Sequence, residues 1–188
     1  MTSSATKTRA TTSLVGRARQ GDSAAWRELY EAHAGRLVLW LRQLPTGDAS
    51  ADHDDIAMDA WTLAASRIAD FSGGDDDFGA WLFGIARNHL LNARRKSARR
   101  ATYPTDTMPD RADPTLALEP VSSAVAAEEN VRLAIASLPR REGEVVACVD
   151  VVDLDVATTA RILGMNQAAV RVARRRGLTR LRKQGWNV

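Results

Sequence analysis

Arginine and lysine residues are concentrated in two segments of this 188-residue chain that contain no acidic residue. The first segment covers positions 87–100, and the second runs from position 161 to the C-terminus. Guanidinium and ammonium groups neutralise phosphates, and arginine can also donate two parallel hydrogen bonds to one acceptor group. One such segment is equally well explained as a solvated helix face. Two of them favour two surfaces that bind nucleic acid.

Two groups of aspartate residues precede the first basic segment. Asp54, Asp55 and Asp59 fall on one predicted helix, and residues 75–77 precede another. Carboxylates in such groups can hold Mg²⁺ for nuclease chemistry, interact with a helix N-terminus, or contact a basic protein. The helical spacing of the first group and the position of the second favour the last two roles over a metal site.

Sequence motifs of enzymes are missing from the chain. The three histidines lie on different predicted segments, and no His-x-x-x-His or Cys-x-x-Cys pair exists to bind zinc. Gly73-Gly74 lacks the Lys-Ser/Thr of a phosphate-binding loop. The single Cys148 lies in an apolar run and is predicted to be a buried structural thiol. We therefore expect a non-enzymatic protein without a metal or another cofactor.

Helical periodicity dominates the sequence and predicts an all-α fold of two small domains. Residues 1–12 are rich in Ser, Thr and Ala and are expected to form a disordered leader. The first domain is predicted at 13–101, with three helices, the first of which is capped by Asp22 and ends at Pro45. No apolar run is long enough to span a membrane, so we expect a cytoplasmic protein without membrane insertion.

Prolines mark the boundary between the predicted domains. Pro104, Pro109, Pro114 and Pro120 lie among Thr, Asp and Ala residues, which is the composition of a linker, here 102–122. The second domain, 123–188, is predicted to contain four helices. With the domains flexibly tethered, we expect the isolated chain to bind duplex DNA weakly.

The last two predicted helices have the pattern of a helix-turn-helix. Asp155 and Asn166 are suited to cap them, and Gly164 is suited to the left-handed residue between them. An arginine in the major groove can donate two hydrogen bonds to guanine, and a glutamine can bind adenine. A basic hairpin that binds an acidic protein is the alternative interpretation. The positions predicted to face outward are Gln167, Ala168, Arg171, Val172, Arg174 and Arg175.

Several of these segments resemble extracytoplasmic-function (ECF) sigma factors, a group of the sigma-70 family. Segments 138–142, 160–165, 169–171 and 180–182 resemble region four, and segments 54–61 and 78–88 resemble region two. The two sets occur in the order and spacing of that family and together extend over nearly the whole chain after position 12.

The resemblance implies a promoter-binding initiation factor that acts with RNA polymerase core and helps to open the −10 element. Asp54, Asp55 and Asp59 would bind the β′ clamp helices, and the second domain would meet the β flap. Residues Arg171, Val172, Arg175 and Arg176 would contact the −35 element, and an anti-sigma protein would regulate the factor. The residues assigned to the −10 element are Phe71, Ser72, Phe78, Trp81, Arg87, Asn88, Arg94, Arg95 and Lys96.

The chain departs from the family pattern in the second domain. Thr158-Thr159 stand where Glu-Ile is frequent, and Asp153-Leu154-Asp155 replaces a common Gly-Leu-Ser turn. A free-standing helix-turn-helix regulator, which binds duplex DNA without polymerase, stays the alternative function. Its hairpin would look the same, so the acidic and aromatic helices of the first domain distinguish the two.

Overall fold

The computed structural model describes residues 13–46, 52–102 and 123–187, and all regular secondary structure in these ranges is helical, which confirms the all-α prediction. The predicted leader and residues 103–122 of the predicted linker lie outside the described residues. A π-helical turn at Ala147–Val151 continues one helix. The helices are α1 (Leu14–Arg19), α2 (Ser23–Arg42), α3 (His53–Arg67), α4 (Asp75–Thr102), α5 (Ser123–Ala136), α6 (Arg140–Val146), α7 (Val156–Leu163) and α8 (Gln167–Lys183).

Helix α1 is an element that the periodicity of the sequence does not predict, because six residues are too few for a repeated apolar stripe. It is held at its N-terminus by two side chains. Ser13 accepts a hydrogen bond from the backbone N–H of Gly16, and the Asp75 carboxylate accepts from Leu14 and Val15 at 3.1 and 2.9 Å. These bonds fix α1 against the start of α4.

The first domain is built from α1 to α4 around a core of aromatic and leucine side chains. Trp40 has no exposed surface and packs against Phe83, with 5.3 Å between the ring centroids. The predicted cap of α2 is confirmed, since Asp22 accepts hydrogen bonds from Ala24 and Ala25. Helix α4 has 28 residues and is therefore about 42 Å long. Its second half carries most of the first basic segment.

The second domain contains the predicted helix-turn-helix, α7 and α8. Asp155 caps α7 by accepting from Ala157 and Thr158, and Asn166 caps α8 by accepting from Ala169. Gly164 has a φ of 62°, the left-handed conformation that a residue without Cβ adopts easily. Ala160, Ile162, Leu163, Val170 and Ala173 are buried, and Met165 is half-buried.

The segment before α7 has an unusual backbone. Asp153 has a φ of 52°, in the left-handed region that a residue without Cβ adopts most easily. The π-helical turn precedes it and contains Cys148, which is fully buried as predicted. Burial raises the pKa of the Cys148 thiol to about 12, so this sulfur stays protonated and unreactive near neutral pH.

The two domains pack against each other. Helix α7 lies on α4, and one continuous hydrophobic core includes Trp40 and Phe83 of the first domain with Val145 and Ile162 of the second. This packing differs from the predicted flexible tether, because contacts between distant segments leave no trace in local periodicity. None of the described helices is long and apolar enough to cross a membrane.

Candidate nucleic-acid interfaces

The outward side of α8 forms an exposed basic surface, which we call the recognition face. The opposite side of α8 contains Val170, Ala173 and Gly177, which are buried against the rest of the second domain. Arginine side chains therefore project from one side of a rigid helix, with the apolar Val172, 48% exposed, among them. The exposed residues of this face are Gln167, Arg171, Val172, Arg175, Arg176 and Thr179.

Arg171 and Arg174 are held differently on α8. Among the described residues the Arg171 guanidinium forms no ion pair, and it donates a hydrogen bond to Oε1 of Gln167 at 3.2 Å, one turn earlier on the same face. Arg174 points to the side of the helix and donates to both carboxylate oxygens of Asp150, with distances of 2.6 to 3.0 Å. The predicted DNA contact of Arg174 therefore requires that this ion pair opens or moves, whereas Arg171 is already positioned outward.

A second candidate surface lies at the start of α4. The rings of Phe71 and Trp81 are stacked, with centroids 4.6 Å apart and planes 18° from parallel. We call these two half-buried rings the aromatic pair. Arg19 of α1 fixes the segment between α3 and α4, because its guanidinium donates to the carbonyl oxygens of Ile68 and Phe71. Exposed Ser72 follows the first ring, and exposed Asn88 lies two turns of α4 beyond the second.

Phe78 corrects the site predicted from sequence. The resemblance places Phe78 at the −10 element, but its side chain has no exposed surface. Its ring lies beneath the aromatic pair, 6.2 Å from Phe71 and 5.8 Å from Trp81, and it also contacts His33. Phe78 is therefore a core residue that supports the aromatic pair. The motif at 78–88 identifies this phenylalanine by its position in the sequence, which does not show whether its side chain is buried.

Arg87 and Arg94 of α4 face the second domain. Arg87 donates to Oε2 of Glu144 at 2.9 Å, and Arg94 lies 3.5 Å from Oε1 of the same carboxylate. Nε of Arg140 lies 4.0 Å from Oε1 of Glu144. We call Glu144 and these three arginines the Glu144 cluster. The Glu144 side chain is only 2% exposed. Burial lowers the pKa of the Arg94 guanidinium, and the Glu144 charge opposes that effect.

The remaining basic residues of α4 face solvent. Arg95 and Lys96 are both exposed, one turn or less beyond Arg94. Arg95 makes a 3.4 Å contact with Asn92 on the same helix, and no acid of the second domain approaches it within the described residues. Helix α4 thus has two basic side chains that the second domain covers, Arg87 and Arg94, and four exposed ones, Arg95, Lys96, Arg99 and Arg100.

An acidic face covers the outer side of α3. Asp54, Asp55 and Asp59 are all exposed, as their spacing predicts. Asp54 pairs with Arg42 at 3.1 Å, and Asp59 lies 3.9 Å from His89. Met58, 59% exposed, lies in the middle of this acidic face and was not singled out from the sequence. Its position between two aspartates, out of phase with the buried stripe, is the signal that could have identified it.

A groove on the second domain combines apolar and charged residues. It has a volume of about 690 Å³ and lies between α5, the π-helical turn and α8. Val131, Leu178 and Trp186 contribute apolar surface, and the Arg174–Asp150 pair lies at its edge. Among the described residues, no group of three or more His, Cys, Asp or Glu side chains could hold a metal ion.

Comparison with known families matches both domains. The family description "Sigma-70 region 2" matches residues 29–100, and "Sigma-70, region 4" matches residues 128–181. These are two regions of one class of transcription initiation factor, and they occur here in one chain in the order of that class.

Individual relatives narrow the class further. The chain is 31% identical to ECF RNA polymerase sigma factor ShbA of Streptomyces griseus over 90% of this chain and 92% of the relative. It is 29% identical to ECF RNA polymerase sigma factor SigD of Mycobacterium tuberculosis over 91% of this chain and 82% of that protein. A solved structure of CnrH in complex with the cytosolic domain of CnrY has a similar fold, with a TM-score of 0.68 at 22% identity. It is matched over 91% of this chain and 94% of that one.

The chain therefore belongs to the ECF RNA polymerase sigma factors. It is a factor that directs core polymerase to specific promoters to initiate transcription, and the free-standing regulator is not favoured.

Proposed function

We propose that three surfaces divide the work of initiation between them. The acidic face of α3 binds core polymerase, α4 with the aromatic pair holds the −10 element and assists its melting, and the recognition face of α8 reads the −35 element. The protein acts in the cytoplasm and catalyses no covalent step. The observation that carries the proposal is the presence of oppositely charged, exposed faces on α3 and α8 of the same chain.

The acidic face suits a basic helical partner such as the β′ clamp helices of polymerase. Interfaces take most of their energy from a few central residues enclosed by polar ones. Met58 has this position, since it is exposed and lies between Asp55 and Asp59 along α3. A thioether is flexible and adapts to irregular apolar surfaces. We therefore add Met58 to the predicted polymerase contacts.

The aromatic pair suits an unpaired base of the −10 element. Aromatic rings stack on bases of any sequence, and such contacts contribute about 1–3 kcal/mol per base. Phe71 and Trp81 already lie parallel, and Arg19 fixes the backbone that carries Phe71. Ser72 and Asn88 are exposed nearby and can hydrogen-bond to a base edge. Lys96 and Arg95 would then follow the phosphates of the strand.

The recognition face combines two kinds of base contact. Arg171, Arg175 and Arg176 can donate to guanine or to phosphates in the major groove. Val172 has no polar group, so its base contact is the C5-methyl group of thymine. We therefore expect a thymine opposite Val172 within the −35 element.

The groove on the second domain suits a protein rather than DNA, because Val131, Leu178 and Trp186 contribute apolar surface there. We propose that the β flap of polymerase binds in this groove. We propose that a regulatory anti-sigma protein competes for the same surface. The similar CnrH structure was solved in complex with the cytosolic domain of another protein, CnrY.

The polymerase contact is tested by the affinity of the protein for core polymerase. We expect Met58→Ala to weaken binding by about 1–2 kcal/mol, the loss typical of an interface side chain that contributes measurably to affinity. Val125→Ala, at a 56% exposed apolar residue of α5, is the matched control and should bind like the wild type. Equal affinities for wild type and Met58→Ala would remove Met58 from the interface.

A further inference from the structure

Residues 68–74, which we call the connecting segment, link α3 to α4, and the short helix α1 holds both ends of this segment. We propose that α1 is a brace for the aromatic pair. Arg19 of α1 and Gly73 of the connecting segment act as positioning residues, because they keep the two rings in contact before DNA binds. This inference rests on the proposed function of the aromatic pair and names the residues that give the pair its geometry.

Arg19 holds the start of the connecting segment through its backbone. Nε of Arg19 donates to the carbonyl oxygen of Ile68 at 3.1 Å, and Nη2 donates to that of Phe71. The guanidinium carbon also lies 6.0 Å from the centroid of the Phe71 ring, at the outer limit of a cation–π contact. One side chain of α1 therefore fixes the backbone that carries Phe71 and, more weakly, the ring itself.

Asp75 holds the other end of the connecting segment. Its carboxylate oxygens accept hydrogen bonds from the backbone N–H groups of Leu14 and Val15, in the first turn of α1, at 3.1 and 2.9 Å. The partial positive charge of a helix N-terminus favours such a carboxylate. The last residue of α1 thus binds the start of the connecting segment, and its first residues bind the residue that follows the segment.

Helix α1 can act as a brace because it is itself fixed to the core. Val15 and Ala18 are buried. The indole N–H of Trp26 in α2 donates to the carbonyl oxygen of Ala18 at 3.1 Å. The Trp26 ring also meets Phe78 edge to face, with 6.3 Å between the centroids. Since Phe78 lies beneath the aromatic pair, α1 and the pair rest on the same group of buried rings.

Gly73 leaves space that the Phe71 ring needs. A methyl group on Gly73 would lie 2.5 Å from Cζ of Phe71 and 2.8 Å from Cβ of Asp77. Non-bonded carbon atoms pack at about 3.5–4.0 Å, so the ring or the backbone would have to move. A methyl group on the neighbouring Gly74 would meet no atom of the described residues within 4 Å. The stacked position of Phe71 therefore excludes a side chain at position 73 and tolerates one at position 74.

The brace matters for DNA because it sets the entropy cost of base binding. An aromatic side chain that moves freely loses conformational freedom when a base stacks on it, whereas a fixed ring has already lost it. Phe71 and Trp81 are half-buried, so they are accessible to a base while the contacts around them hold their rings. We therefore expect loss of the brace to reduce promoter opening and to leave binding to core polymerase and to −35 duplex DNA unchanged.

The test measures promoter opening by the complete holoenzyme. Core polymerase with each variant is mixed with a promoter found by run-off transcription, and permanganate oxidation of unpaired thymines around −10 gives the fraction of open DNA. We expect Arg19→Ala to lower the opening equilibrium constant about tenfold, within the contribution of base stacking. Arg17→Ala removes the same charge from the same helix, where its partners are Asp22 and Glu28, and should open the promoter like the wild type.

A double-mutant cycle distinguishes a positioning residue from one that only stabilises the fold. If Arg19 acts through Phe71, the double variant Arg19→Ala, Phe71→Ala should open the promoter as well as Phe71→Ala alone. Arg19→Lys keeps the charge without the planar group that donates from two nitrogen atoms, so it should recover at most about twofold of the loss. Additive losses in the cycle would overturn the inference. Full activity of Arg19→Lys would overturn it too, because charge alone would then be sufficient.

The two glycines provide an independent test. We expect Gly73→Ala to lower the opening equilibrium constant about tenfold, because the Phe71 ring is displaced from its partner. Gly74→Ala adds the same methyl group one position later and should behave like the wild type. Equal opening by Gly73→Ala and Gly74→Ala would contradict the role of Gly73.

Phe71→Ala separates this inference from the proposed function. Normal opening by Phe71→Ala would remove the base contact of the aromatic pair and the brace with it. A loss of opening for Phe71→Ala, with wild-type opening for Arg19→Ala and Gly73→Ala, would leave the proposed function intact and overturn only the brace.

Discussion

Helices α4 and α8 are both basic and both assigned to DNA, yet they present their arginines in opposite ways. On α8, Arg171 and Arg175 project into solvent and form no ion pair within the part of the chain that the structure describes. On α4, Arg87 and Arg94 are mostly buried against Glu144 of the other domain. The difference teaches that a run of basic residues predicts which ligand a surface suits, whereas the tertiary packing decides whether that surface is accessible.

The largest expected effect concerns the core beneath the covered surface. Phe78→Ala removes a fully buried ring that contacts both members of the aromatic pair. We expect the free energy of unfolding to fall by about 3–5 kcal/mol, as for other buried aromatic residues. Urea unfolding of the full chain measures this value. A loss below about 1 kcal/mol, with −10 binding lost, would restore Phe78 to the DNA contacts.

The comparison of the two helices is sharpened by the same substitution on each. Arg87→Ala leaves part of the buried Glu144 charge uncompensated, and we expect a loss of stability of about 3 kcal/mol. Arg171→Ala on the open face should change stability by less than about 0.5 kcal/mol. It should instead weaken binding to a −35 duplex by about 1–3 kcal/mol.

Urea unfolding and duplex-binding titrations on both variants separate these effects. If Arg87→Ala and Arg171→Ala gave equal losses of stability, the distinction between a covered and an open helix would be wrong. Equal weakening of Arg171→Ala on −35 and random duplexes would make Arg171 a phosphate contact rather than a base contact.

A gain of stability is expected in α7, the helix that stands over α4. Thr159 is fully buried, and its hydroxyl has no hydrogen-bond partner among the described residues. Thr159→Val has the same shape and removes the unsatisfied group, so we expect stabilisation of about 1 kcal/mol. The thermal unfolding midpoint should rise accordingly. Thr159→Ser, which keeps the hydroxyl, is the control, and an unchanged or lower midpoint for Thr159→Val would show that the hydroxyl is satisfied.

The smallest expected effect is a dependence of stability on pH. Burial lowers the pKa of His33 below its usual 6.5, and the nearby Arg36 charge adds to the effect. The unfolded chain therefore binds a proton more readily than the folded one, and the stability contribution is present above about pH 6.5 and decreases as the pH falls below it. Denaturant unfolding at about pH 7.5 and about pH 5.5 should show a smaller decline for His33→Gln than for the wild type. An identical decline in both proteins would exclude His33 as its source.

Local features were predictable from the sequence because their causes are local. The caps Asp22, Asp155 and Asn166, the left-handed Gly164 and the burial of Cys148 follow from residue types and short spacings, and all are confirmed. The short helix α1 was missed, because the group that holds it, Asp75, is about sixty positions away in the sequence.

Features of the site that depend on tertiary packing were not predictable. Arg87 and Glu144 are 57 positions apart, and each alone looks like a solvent-exposed helix charge. Phe78 and Trp81 belong to one signature motif, yet the first is buried and the second is half-exposed. Periodicity predicts which residues share one face of a helix. The packing of the helices determines which of those residues are accessible to a ligand.

The central claim is that this chain directs core polymerase to promoters through the acidic face of α3. The decisive measurement is run-off transcription by core polymerase from the same organism on a library of upstream genomic fragments. We expect discrete new transcripts with the wild-type protein and none with Asp54→Asn, Asp55→Asn, Asp59→Asn. The control triple Asp70→Asn, Glu128→Gln, Glu129→Gln removes the same charge from other exposed positions and should be active. Tight binding of the protein alone to a duplex site, with no transcripts and no binding to core polymerase, would contradict the account.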